Sequence, residues 1–366
     1  MTKIVPVWQW SKFCPQTSVG RSEAVTFARL HLRAEPDRRF MEKVRVAMVG
    51  CGGFQRYRVG NLDQVREAEI VALVDPDPKQ IELMQEQRAS TRGLPTFADL
   101  DEMLATVKPD AIMIATPHTQ HVDQILAGLD AGCHVCCEKP LVTTVADAHR
   151  VIKKRDEVGK IGMVSYQRHF QAEFRYIKKL IDDGTAGAVQ YIQVLQTQEW
   201  LRAVKGTWRQ VHALSGGGQL NDSGSHVLDI VLWVTGQSPK VVSAFTDNKG
   251  TEVDINSSLS VVFQSGAMGS IAIIGDGMGW HEDITFMCEN MGFFVRDGKL
   301  TIVDRDRNKM AASLTGGSTP DQNFIHSILG KVACESPFEC GLEVIRLTEA
   351  AWKSADLGGN AVPVLS

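Results

Sequence analysis

The chain has 366 residues, 43% hydrophobic and 22% charged, with a formal net charge of −4. That is ordinary globular composition at a length that suits two domains. The acidic balance and the scattered Lys and Arg exclude a phosphate-backbone partner, so no nucleic acid is expected, and without an apolar run of about eighteen residues no membrane span is expected either.

Residues 1–43 carry no sustained periodicity and no apolar signal-peptide core. They predict a poorly ordered N-terminal extension ahead of the fold. Val44-Arg45-Val46-Ala47-Met48-Val49 then reads as a buried parallel strand. It runs into Gly50-Cys51-Gly52-Gly53-Phe54-Gln55, and a helix follows from about Arg56 to Asn61. Strand, glycine turn and helix are the context of a dinucleotide fingerprint. Gly50 permits the tight turn, and Gly52 lets the backbone approach a pyrophosphate that the helix N-terminus faces. Gln55 replaces the third glycine, and Gly53 adds slack beside Phe54. The next strand, Glu69 to Asp75, ends in an acid about twenty residues on, where a carboxylate accepts the ribose hydroxyls of NAD. No arginine stands beside Asp75 to pair with a 2′-phosphate, so NAD is favoured over NADP.

The alternation continues. Lys79 to Ala89 and Phe97 to Thr106 read as helices, Ala111 to Ala115 as a strand, His121 to Ala131 as a helix and Cys133 to Cys137 as a strand. This rhythm implies a parallel sheet with right-handed crossovers. Thr116-Pro117 and Glu138-Lys139-Pro140 then lie at strand carboxyl ends on the rim that holds Gly50, where open α/β sheets bind ligands. Cys133, Cys136 and Cys137 cluster here, but Cys136 and Cys137 point to opposite faces of a strand, and no second Cys-x-x-Cys pair completes a zinc site. No metal is expected, and thiols used as small apolar groups suit a reducing cytoplasm.

The glycine turn, the Thr-Pro…His run of Thr116, Pro117 and His121, and the Gly-x-His-Val-x-x-Glu-Lys-Pro strand end resemble the Gfo/Idh/MocA oxidoreductases, named for glucose–fructose oxidoreductase and inositol dehydrogenase. The resemblance covers about residues 44 to 365. It implies a Rossmann-type, doubly wound α/β domain over 44–160 and an α+β domain over 161–366. That second domain would be a large open, mostly antiparallel sheet, one face over the nicotinamide and the other often a subunit contact, so a homo-oligomer, dimer or tetramer, is expected. The residues agree: beyond Ile161–Gln167 and a helix to Asp182, strand candidates dominate, at Val189–Thr197, Val241–Thr246, Leu259–Phe263, Met268–Ile274, Ile284–Cys288 and Gly292–Val295.

Between these strands Gly216-Gly217-Gly218 precedes Asp222 and His226, which are four residues apart on one helix face. Alone they read as an N-cap aspartate and a first-turn histidine. The resemblance makes Asp-x-x-x-His the family's second signature and assigns Lys139, Asp222 and His226 to catalysis. His226 would take a hydroxyl proton, Asp222 would orient the imidazole or hold a neighbouring hydroxyl, and Lys139 would stabilise developing charge on the reacting oxygen. Glu138 would shape the cofactor edge, and His121 would contact the cofactor. His118 stands where the family more often has asparagine. Tyr166, Arg168, Trp208 and Arg209 could line a sugar or polyol pocket. The resulting expectation is an NAD-dependent dehydrogenase of a sugar, inositol or related polyol. NAD-assisted glycoside cleavage and non-catalytic dinucleotide binding are the alternatives.

Overall fold

The structure is a computed structural model that describes residues 43–365 apart from 311, 313, 315 and 316. The extension expected over residues 1–43 falls, up to residue 42, outside the described residues.

The first sheet alternates with helices. β1 (Val44–Val49), α1 (Gly53–Leu62), β2 (Ala68–Val74), α2 (Pro78–Gln87), β3 (Thr96–Phe97), α3 (Leu100–Val107), β4 (Ala111–Ile114), α4 (His121–Asp130), β5 (His134–Cys137), α5 (Val145–Val158) and β6 (Gly162–Val164) follow in turn. The six strands lie in the order β3-β2-β1-β4-β5-β6, all parallel. Helices cover both faces, so β4 and β5 are buried at every position, which is why they read as unbroken apolar runs. Helix starts are set by local acceptors: the Asp77 side chain takes the Lys79 N–H, Asp99 takes that of Glu102, and Thr144 takes that of Asp147. The strand order reverses between β1 and β4. Gly50 and Thr116, which follow those strands, therefore meet at the topological switch point.

The second sheet is assembled from α6 (Ala172–Asp182), β7 (Val189–Thr197), α7 (Trp200–Ala203), α8 (His212–Ser215), α9 (Ser223–Thr235), β8 (Pro239–Asp247), β9 (Asn256–Phe263), β10 (Met268–Ile274), β11 (His281–Cys288), β12 (Met291–Arg296), β13 (Lys299–Asp304) and β14 (Lys309–Met310). The chain closes with α10 (Pro320–Ile328), α11 (Phe338–Asp356) and β15 (Val362–Pro363). The nine strands run β14-β13-β12-β11-β7-β10-β9-β8-β15, antiparallel except for the β7–β10 pair. Burial alternates along β9, as a sheet with one covered face requires. The covered face packs on α9 and α11, whose apolar residues Val227, Ile230, Val231, Val344, Ile345 and Leu347 join the main core.

The architecture is the expected one: a Rossmann-type parallel sheet followed by a large, mostly antiparallel sheet. Two details differ from the sequence expectation. β6 pairs with β5, so the first sheet runs past the boundary set at residue 160. The C-terminal α10 also returns to that sheet, packing Phe324, Ile325 and Ile328 with Val46, Met48 and Val59.

Candidate active site

The glycine turn has the shape of an anion cradle. Gly50 has φ +82, and a Cβ there would lie 2.6 Å from the Ala115 carbonyl oxygen, so the β1 and β4 ends approach this closely only because residue 50 is glycine. Around Gly52 a Cβ would meet nothing within 4 Å, so its backbone faces open space. α1 starts at Gly53 with no side-chain cap and no acid in its first turn, which leaves its terminal N–H groups for an external anion. A 470 Å³ cleft opens against this turn, lined among others by Phe54, Tyr57, Ser165, Gln167 and Thr319. Asp75, one strand over, accepts the Cys51 N–H at 2.7 Å and the Asp77 N–H at 2.9 Å, so its carboxylate is fixed beside the turn. These features fit a nicotinamide dinucleotide with Gly50, Gly52, Gly53, Phe54 and Asp75 around it.

Other residues expected at the cofactor are turned elsewhere. The Gln55 side chain is fully buried and donates to the Met113 carbonyl at 2.7 Å, filling the space between the β1 and β4 ends in place of a third glycine. His121 is also fully buried, with Nδ1 2.9 Å from the Pro140 carbonyl and Nε2 3.0 Å from that of Thr116. Its ring ties two rim loops together and offers no free nitrogen to a cofactor. The Thr116 hydroxyl donates to Gln124. Glu138 turns inward, its carboxylate 3.2 Å from Arg58. Burial raises its pKa, and Arg58 and Lys139 work in the opposite direction.

Arg58 was not singled out by the sequence. It is 1% exposed, in the middle of α1, and holds Asp321 at 2.8 Å as well as Glu138, with Cys136 Sγ 3.1 Å away. Burial opposes its charge, and Cys136, Asp321 and Glu138 outweigh that opposition. One guanidinium thus joins the helix after the glycine turn, the β5 end that carries Lys139, and the first turn of α10.

Lys139 and Asp222 meet across the two sheets. The lysine Nζ donates to Asp222 Oδ1 at 2.6 Å and lies 3.2 Å from the Asp222 carbonyl. The other carboxylate oxygen accepts the Trp200 indole N–H at 2.9 Å and the Arg209 Nε–H at 3.0 Å. Asp222 is the residue before α9, but its side chain does not cap the helix. Burial opposes its charge, yet Lys139 above all, then His118 and Arg209, hold its carboxyl far below the usual carboxylate range. The glycine run that delivers it is anchored by Asp254, whose carboxylate accepts the N–H groups of Gly218 at 3.0 Å and Leu220 at 2.8 Å. A Cβ on Gly218 would stand 1.9 Å from the Asp254 carbonyl oxygen, so only glycine fits.

Two imidazoles lie in the field of this pair. His226 has a buried Nδ1 with no hydrogen-bond partner, and Tyr166 packs its ring against it. Burial first, then Lys139 and Arg168, depress its pKa well below the ordinary value, so the ring is neutral. Asp222 does not hydrogen-bond to it, contrary to the orienting role expected for that carboxylate. His118 is 4% exposed, with Nδ1 3.2 Å from the Ser215 carbonyl and Nε2 4.0 Å from Asp222 Oδ1. Its pKa is driven down to about 3, chiefly by burial.

The four residues proposed for a polyol pocket separate into two groups. Trp208 packs its edge against His118, and Arg209 stacks over Trp208 at 4.4 Å while holding Asp222, so both stand in the site. Tyr166 is fully buried beneath His226. Arg168 is spent on a buried two-point ion pair with Glu282, at 2.9 and 2.6 Å. Neither of these two side chains lines an open pocket. Further back, His169 places Nε2 2.9 Å from Asp229 and Nδ1 2.9 Å from the Glu335 carbonyl, so neither ring nitrogen is free for a metal.

Comparison with known proteins supports the same assignment. Residues 44–166 match the model of the GFO/IDH/MocA oxidoreductase family with its NAD-binding Rossmann fold, and residues 174–288 match the GFO/IDH/MocA C-terminal domain. The chain is 24% identical to D-glucoside 3-dehydrogenase of Escherichia coli (strain K12) over 86% of its own length and 96% of that protein's. It is 35% identical to inositol 2-dehydrogenase of Rhodococcus jostii, over 40% of each chain. Among solved structures, the WlbA dehydrogenase of Bordetella pertussis in complex with NADH and UDP-GlcNAcA superimposes with a TM-score of 0.76 at 26% identity, covering 88% of this chain and 99% of that one. With the uncapped cradle, the cross-sheet Lys–Asp pair and both family domains in sequence, the chain belongs to the Gfo/Idh/MocA family of NAD-binding oxidoreductases.

Proposed function

We propose that the protein is an NAD-dependent dehydrogenase of a sugar, inositol or related polyol hydroxyl, or of the keto form in the reverse direction, and that Lys139, Asp222 and His226 carry the chemistry. The observation behind this is the 2.6 Å contact between Lys139, on the cofactor rim, and Asp222, the residue before the helix that carries His226. Bound NAD supplies the hydride acceptor. Lys139 then donates a hydrogen bond to the reacting oxygen as negative charge develops there. Its own charge is balanced by Asp222, which keeps the ammonium aimed into the site. His226 takes the hydroxyl proton on a ring nitrogen that burial and Lys139 have kept free of one. Arg209 and Trp208 present a guanidinium edge and an aromatic face, a pairing that suits a carbohydrate ring.

Lys139→Met is expected to lower turnover by about a thousandfold, in line with the loss of a charge-stabilising donor, while NADH affinity stays within a few-fold. The test is NADH fluorescence titration followed by absorbance at the NADH band across inositols, aldoses and their acids. A Lys139→Met enzyme that retains most of its activity sinks the assignment. Tightly held NAD with substrate cleavage and no net NADH points instead to glycoside cleavage.

The seven described cysteines are all free thiols, which suits a reducing cytoplasm. Among the described residues no helix is long and apolar enough to cross a membrane. A homo-oligomer is favoured by the outer face of the second sheet. Met287 stands opposite Tyr191, Tyr191 opposite Met268 and Met268 opposite Val262, and all four are exposed. An apolar row crossing four strands on an uncovered face suits a self-complementary contact.

A further inference from the structure

We propose that His118 is a substrate-contacting residue that selects vicinal diols, its Nε2 and Asp222 Oδ1 together receiving the hydroxyl next to the one being oxidised. The proposal rests on the dehydrogenase function argued above and narrows its substrate class.

The tautomer comes first. His118 Nδ1 is 3.2 Å from the Ser215 carbonyl oxygen, which can only accept, so Nδ1 carries the proton and Nε2 carries a lone pair. That lone pair lies 4.0 Å from Asp222 Oδ1 and has no hydrogen-bond partner among the described residues. Two acceptors facing one another cannot satisfy each other. A hydroxyl placed between them donates to either, and it can accept from Lys139, which is 2.6 Å from the same carboxylate oxygen. The ring is held in place for this. Trp208 packs edge-on with centroids 4.7 Å apart, and Ser215 fixes the opposite nitrogen. Burial keeps the ring neutral across the working range, so the lone pair is always available.

The second imidazole completes the case. His226, in the field of the same Lys139 and Asp222, is also neutral and uncommitted. A substrate with one hydroxyl can use one of these rings. A substrate with two adjacent hydroxyls uses His226 for the reacting group and His118 for its neighbour. A site built to pair with a hydroxyl discriminates strongly against an analogue lacking it, because a buried polar group is then left unpaired.

The test uses the full chain with NAD, and the probes are myo-inositol, glucose and, as the deoxy compounds, their counterparts lacking the hydroxyls that flank the oxidised carbon. His118→Leu should lower kcat/KM for the vicinal diols about tenfold or more, the worth of a lost hydrogen bond to a buried group, should shrink the diol-to-deoxy ratio by a similar factor, and should leave NADH affinity within a few-fold. In the unsubstituted enzyme with NADH, nitrogen-15 NMR of His118 should show a neutral Nδ1–H ring whose Nε2 signal moves on adding inositol. That measurement stands even if the Leu variant does not fold. An unchanged diol-to-deoxy ratio in the variant, or an Nε2 signal indifferent to polyol, overturns the proposal. An enzyme that oxidises the deoxy compounds as readily as the diols overturns the role of His118 but leaves the dehydrogenase function standing. An enzyme that oxidises none of the panel overturns both.

Discussion

His118, His121 and His226 share one electrostatic consequence. Burial is the first cause for each, and it places each pKa below the ordinary histidine value. When pH falls through about 6.5 the unfolded chain takes up protons at these rings and the native chain does not. The stability they contribute is therefore complete above that pH and is lost on acidification, at a slope of about 1.4 kcal/mol per pH unit for each ring. Urea midpoints measured between pH 8 and 5 should fall towards acid, and His118→Gln, which cannot titrate, should flatten the slope. A midpoint that does not move with pH contradicts the buried neutral state. In turnover, the acid limb that reports His226 should lie below pH 6.5, because the depressed pKa keeps the base free at lower pH than an exposed histidine.

At the scale of elements, α1 does more than present its N-terminus. Arg58, from its buried side, ties β5 and α10 together through Glu138 and Asp321. Removing one partner of such a buried network leaves the others uncompensated, which costs about 3–5 kcal/mol. Arg58→Met should show that loss in chemical denaturation, and Asp321→Asn a smaller one. Equal stability in Arg58→Met and the unsubstituted chain would remove the network from the account of how Lys139 is held. This network also marks where the sequence stops being informative. β7 and β10 are bounded to the residue, whereas β4 and β5 are each expected one residue too long because Ala115 and Cys133 continue the apolar run. Phe97 reads as the start of a helix because it extends the apolar stripe of α3, while β3, Thr96–Phe97, is only two residues long. α10 and α11 lie beyond Val295, where the last strand expected from the sequence ends. Local spacing placed Asp222 and His226 on one helix face and Lys139 at a strand end, and only the family resemblance joined the three as a site. Arg58, Trp200 and Asp254 were not, because their partners are 263, 22 and 36 residues away, and no local pattern encodes such a meeting.

For the whole molecule, the exposed row from Met287 to Val262 sets an assembly prediction. The double variant Tyr191→Lys, Met268→Lys places like charges on the face proposed to pair with itself, so light scattering should show a smaller species than the unsubstituted chain, with circular dichroism unchanged. Identical masses would move the contact elsewhere. The one parallel pair of the second sheet has a different consequence. Because β7 and β10 run the same way, the chain must leave the sheet after β7 and return over a long path before β10 is laid down. Trp200, Trp208 and Arg209 all lie on the first part of that detour, between β7 and α9, which touches the strand ends through Gln198 and Leu201. The share of substrate choice proposed for Trp208 and Arg209 is therefore written outside the strands: rewriting those two positions should retune what the enzyme accepts while the ladder of strands beneath is left as it was.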